Sequence, residues 1–133
     1  MSSVINASIS SNGIVSTADA SGILQIQSNG KNTNAQAWVQ FSGATGGATI
    51  NQSYNVSSIT RNSAGDYTIN FTNAFASSNF SFSASCGVTV SGGGIVFAPW
   101  TSTPTTTTLR ILTANTAFSG ADCAFNSVIV FSQ

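Results

Sequence analysis

From Phe80 to Cys86 every second side chain is apolar and every one between is serine: Phe80, Phe82, Ala84 and Cys86 against Ser81, Ser83 and Ser85. A period of two places the sets on opposite sides of an extended chain, which is the pattern of a strand with one face buried. Tyr67, Ile69 and Phe71 alternate in the same way with Thr68, Asn70 and Thr72, and Val39 and Phe41 alternate with Trp38 and Gln40. No stretch carries a helical period. The composition agrees: eleven Ile and nine Val favour strands, while Leu is scarce at three and good helix formers other than Ala are nearly missing.

The pattern predicts short strands and turns from end to end. Val4 to Ile9 alternates weakly, Asn12-Gly13 marks a turn before Ile14-Val15, and Ile23 to Gln27 forms a strand closed by Asn29-Gly30. Gly43 to Gly47 turns the chain. Tyr54 to Thr60 and Asp66 to Thr72 read as a hairpin around the loop Asn62-Ser63-Ala64-Gly65. Ser91 to Gly94 is a flexible turn, Ile95 to Phe97 a strand, and Pro99 and Pro104 bracket a loop through Trp100. Thr105 to Thr113 and Ala124 to Phe131 are the last two long strands. The expected fold is all-β, an antiparallel sandwich of jelly-roll-like form. Residues 1–34, with no aromatic side chain, are expected to be an N-terminal strand or docking segment that pairs on the main body or on a neighbouring subunit; residues 35–133 are the sandwich domain.

Charge bounds the function. Only Asp19, Lys31, Arg61, Asp66, Arg110 and Asp122 are charged, and the chain contains neither His nor Glu. General acid–base work needs groups of those types with tuned pKa values, and transition-metal sites need His, Cys or clustered carboxylates. The expectation is a protein that is not an enzyme, has no cofactor and no metal, and works through its surface. A net charge of zero argues against nucleic acid as a partner and against an electrostatic membrane anchor. No apolar run is long enough to cross a membrane, so no membrane insertion is expected. Met1-Ser2-Ser3-Val4 offers no basic stretch and no apolar core of a signal peptide. Near-zero charge favours association, and burying surface in an oligomer is one remedy.

Each residue of a type able to carry chemistry has a plainer reading. Asp19, Asp66 and Asp122 sit in turn-like contexts, where Asp bonds its own nearby backbone. Asp66 is also placed to pair with Arg61 across its hairpin. Serine is abundant but has no His to activate it, and Lys31, the only lysine, lies beside an Asn-Gly turn. Gly92-Gly93-Gly94 is followed by a strand rather than by the Lys and helix of a phosphate loop. Cys86 and Cys123 read as buried thiols, with a bridge possible only if their Cα atoms approach within about 7 Å. Trp38 reads as structural, on a strand face. Trp100, framed by Pro99 and Pro104 and flanked by Thr101 and Thr103, is the candidate binding residue: it is able to stack on a sugar ring or anchor a protein partner, the plainer reading being a Trp folded over the core edge. The run Thr105 to Thr108 is an uncharged row of hydroxyls that suits a strand and a symmetric interface.

Three strings carry a resemblance: Ala37-Trp38-Val39-Gln40-Phe41-Ser42-Gly43, Tyr54-Asn55-Val56-Ser57-Ser58-Ile59-Thr60, and Gly65-Asp66-Tyr67-Thr68-Ile69-Asn70-Phe71-Thr72. They resemble a module of tailed-bacteriophage virion proteins, mostly tail-fibre and fibre-tip proteins. Ser21 to Gly30 is similar to the strand-rich segment that often precedes that module, and together these cover about half the chain. The resemblance implies a β-rich domain, usually trimeric, assembled in the bacterial host cytoplasm and displayed on the virion. Its implied partners are copies of itself, other virion proteins and a host surface glycan. It brings no catalytic residues. Fibre proteins of this kind are usually much longer, with a virion-binding N-terminus and a shaft. Two readings follow: a homotrimeric tail-fibre or tail-tip protein that attaches to the host surface, or a capsid decoration protein that stabilises the shell. A depolymerase-type enzyme is disfavoured, because three scattered Asp residues make a poor supply of paired carboxylates.

Overall fold

The structure, a computed structural model, describes residues 27–28, 31–43, 47–87, 95–97 and 102–132. Ten strands and no helix occur among them. They are β1 (Gln27–Ser28), β2 (Lys31–Asn32), β3 (Ala37–Ser42), β4 (Thr49–Tyr54), β5 (Val56–Ser63), β6 (Asp66–Phe71), β7 (Ser81–Gly87), β8 (Ile95–Phe97), β9 (Thr108–Ala114) and β10 (Phe125–Phe131). β1 and β2 pair antiparallel, Gln27 opposite Asn32 and Ser28 opposite Lys31. The other eight form two antiparallel sheets, one ordered β4-β3-β10-β7 and the other β5-β6-β9-β8.

The alternation explains how the two sheets meet. Ala37, Val39 and Phe41 of β3 and Val128 and Val130 of β10 face inward from the first sheet. Tyr67, Ile69 and Phe71 of β6 and Leu109 and Ile111 of β9 face inward from the second. All belong to one core, so the arrangement is sandwich-like. Phe41 meets Tyr67 edge to face across it, ring centroids 5.2 Å apart. Each such side chain, fully buried, contributes about 1.5–3 kcal/mol. Phe75 and Phe80, on the crossing from β6 to β7, close one end against Phe71 with centroids 4.6 and 5.8 Å from it.

Two expected strands begin elsewhere. Tyr54 does not open the β5–β6 hairpin; it ends β4 in the other sheet. The cause is Asn55, whose φ of +54° turns the chain from one sheet to the other. Asn tolerates that conformation better than most residues, and its side chain fixes the corner by donating to Gln36 O (3.1 Å) and accepting from Asn73 N (2.8 Å). The hairpin's turn is also tighter than expected, Ala64-Gly65, because β5 runs on to Ser63. The last long strands begin later than their sequences suggest. Thr105 Oγ accepts from Thr107 N (3.2 Å) and Thr108 N (2.9 Å), so the start of the threonine run is a hydroxyl-capped turn and β9 begins at Thr108. The expectations for residues 1–26, 88–94 and 98–101 lie outside the described residues, as do the expected Asn29-Gly30 turn and residues 44–46 of the Gly43 to Gly47 turn.

Candidate functional site

Four of the six charged residues form two ion pairs, and neither is the pair expected from sequence. Arg61 lies directly opposite Tyr67 in the β5–β6 ladder and so shares its inward side. It therefore points to the end of the core, where the loop before β10 presents Asp122. Asp66 lies on the other face of β6, diagonal to Arg110 of β9, and pairs with it. Strand alternation thus separates Arg61 from Asp66 although they are close in sequence.

Asp122 is the centre of a polar clamp. Its carboxylate accepts from Arg61 Nη2 (2.7 Å) and Nε (3.1 Å), from the Gly65 amide (2.9 Å) and from the Tyr67 hydroxyl (2.5 Å). Burial pushes the Asp122 carboxyl up, but the hydrogen bonds from Arg61, Tyr67 and Gly65 outweigh it and hold it at about 2. Burial and the Asp122 carboxylate together raise the Tyr67 hydroxyl well above the ordinary tyrosine range. Two glycines make the approach possible. A Cβ at Gly65, where φ is +71°, would stand 2.1 Å from Thr113 O, and one at Gly43 would stand 2.2 Å from Tyr67 Oη. The expected turn role of Asp122 is therefore corrected: it binds residues about sixty positions away rather than its own loop.

Asp66 is likewise no simple turn residue. Arg110 donates to it through Nε (2.8 Å) and Nη2, and Asn62 Nδ2 donates to it at 3.0 Å. The Arg110 hydrogen bonds hold its carboxyl below the usual range, against the opposing effect of burial. These carboxylates are ionised, saturated with donors and locked in place. Neither has the raised pKa of a general acid.

Cys86 and Cys123 are free, Cys123 fully buried and Cys86 half-buried. Burial and a hydrogen bond with Cys123 push the Cys86 thiol up to about 12, the reverse of what a nucleophilic cysteine requires. Among the described residues no group of three or more His, Cys, Asp or Glu side chains stands where it would hold a metal ion.

The binding candidates fare unevenly. Trp100 and Thr101 lie outside the described residues; Thr103 is exposed in the segment before β9. Trp38 is on a strand face as expected, but on the outer one, 37% exposed. It is not alone there. Across the first sheet Tyr54, Trp38, Ile129 and Ser83 lie directly opposite one another on β4, β3, β10 and β7. The neighbouring row is Gln52, Gln40, Ser127 and Ser85. Phe131 and Phe125 lie on the same face of β10 as Ile129, two and four residues from it. Trp38, Ile129, Phe131 and Phe125 are four of the five large apolar side chains exposed among the described residues. Sequence reading missed this surface; the alternation in β10, Val128 and Val130 against Phe125, Ile129 and Phe131, was the available signal.

The outer face of the second sheet is different. Asn70 Nδ2 donates to Ser58 Oγ (3.1 Å) and Thr60 Oγ1 (3.2 Å), and Asn62 Nδ2 donates to Thr68 Oγ1 (3.0 Å). Its polar groups bond to each other across strands. No protein-family model, no curated protein and no solved structure matches the chain.

Proposed function

We propose that this chain is a non-enzymatic structural protein of a bacteriophage virion, of tail-fibre or tail-tip type, that assembles as a homotrimer and takes part in attachment to the host surface. The observation that carries the non-enzymatic part is the state of the carboxylates. Asp66 and Asp122 are each bound to an arginine and further donors, with lowered pKa values, which suits them to hold strands and unsuits them to move protons. The virion assignment rests on the resemblance at residues 37–43, 54–60 and 65–72, which supply β3, the β4–β5 corner and β6. A jelly-roll-like winding belongs to the same reading. It is supported by antiparallel pairs between strands remote in sequence, β3 with β10 and β6 with β9.

The mechanism is contact. Hydroxyl- and amide-rich loops present hydrogen-bonding groups, and three copies multiply a weak affinity through effective concentration. Trp100, Thr101 and Thr103 remain the proposed contact with a surface glycan or a partner.

Locating the chain in purified particles by cryo-microscopy tests the proposal. A few trimers at the tail are expected. A regular array on the capsid shell would transfer the chain to the decoration role, its absence from particles would end the virion reading, and multiple-turnover cleavage of host polysaccharide by the pure protein would end the non-enzymatic one.

A further inference from the structure

We infer that the outer face of the β4-β3-β10-β7 sheet is the surface through which one copy of this chain binds another. The inference rests on the self-assembly part of the proposed function and names its interface. Two observations lead to it. Four large apolar side chains, Trp38, Phe125, Ile129 and Phe131, are between 37% and 45% exposed on this one face. Large apolar side chains gathered on one face mark an interaction site more readily than single ones scattered over a surface. The face also carries no charge: its rows are Tyr54-Trp38-Ile129-Ser83 and Gln52-Gln40-Ser127-Ser85, with Phe131 beside Ser81. Aromatic enrichment with charge depletion is the composition of an interface centre.

Charge and shape together select the occupant. In a symmetric assembly a face meets a surface of an identical chain, and any charge near the axis meets its own like. This face has none, whereas the second sheet carries Asp66 and Arg110 on its outer side. An uncharged face offers nothing to a nucleic acid or an ionic ligand. Tyr54 and Trp38 stand side by side as two rings, but the branched aliphatic Ile129 on the other flank of Trp38 interrupts the flat run that a sugar platform needs. The serines of β7, Ser81, Ser83 and Ser85, keep that flank low. A low, uncharged, apolar sheet face suits packing against another sheet at about 10 Å, as the inner faces of this protein already do.

The test is light scattering and sedimentation of the full chain over a concentration series. Ile129→Lys and Trp38→Ser are each expected to weaken association at least tenfold with an unchanged circular dichroism spectrum. Phe118→Ser, which removes a still more exposed ring from the β9–β10 loop, is expected to leave association unchanged. If Ile129→Lys alters the spectrum, Ile129→Thr replaces it. An oligomer that persists at wild-type strength in both face variants overturns this interface while leaving self-assembly intact. A wild-type chain that stays monomeric at micromolar concentration overturns both. A monomer that binds neutral oligosaccharide, with binding lost in Trp38→Ser, gives the face to a sugar instead.

Discussion

The two sheets contribute alike to the core and differ on the side turned away from it. On the second sheet Asn62, Asn70, Asp66 and Arg110 find partners among Ser58, Thr60, Thr68 and each other, so the polar groups are satisfied within the chain. On the first sheet the outward positions hold Trp38, Ile129, Phe125 and Phe131, side chains that are wholly or mostly apolar. One sheet pairs its outward polar groups within itself; the other turns large apolar side chains outward. Joining them is the Asp122 clamp, which ties Arg61, Gly65 and Tyr67 of the second sheet to the loop that leads into β10 of the first.

The strongest way to break this contrast is at the clamp. Asp122→Asn removes the charge that Arg61 and Tyr67 face, and is expected to lower stability by about 2–3 kcal/mol in urea unfolding at pH 7. The wild-type carboxyl is held at about 2, below its unfolded value, so its contribution is full above about pH 4 and is lost as pH falls through about 2. Asp66 adds a decline of the same sign. Asp122→Asn should therefore flatten much of the acid slope; an unchanged slope would mean the clamp does not hold the sheets. A smaller effect tests the polar face. Asn70→Val removes the donor shared by Ser58 and Thr60 and should cost about 1 kcal/mol. The smallest tests the other face. Ile129→Thr, measured at concentrations where copies are apart, should change stability by no more than about 0.5 kcal/mol. A loss of 2 kcal/mol or more there would mean that part of the same chain packs on that face, and the contrast would fail.

How much of this was legible depends on the range of the interaction. The inward and outward sets of β3, β6 and β7 follow from alternation alone, because a strand's two faces are written in neighbouring residues. The start of β9 was misread because threonine serves a strand and a hydroxyl-capped turn equally well. Asn55 was misread because nothing nearby marks it as a left-handed corner; its partners are Gln36 and Asn73. The Asp122 partners were out of reach for a stronger form of the same reason. The apolar face needed the register of β10 against β3, which sets Ile129 beside Trp38 from opposite ends of the chain.

The clamp also has a place in time. Asp122 meets Arg61 and Gly65 across 61 and 57 intervening steps of chain, and contacts that close such long loops are costly to make early. The bolt is therefore drawn after the door is shut. Its removal should steepen escape from the native state while leaving the approach to it nearly untouched, a change visible in the unfolding arm of a chevron and not in the refolding arm.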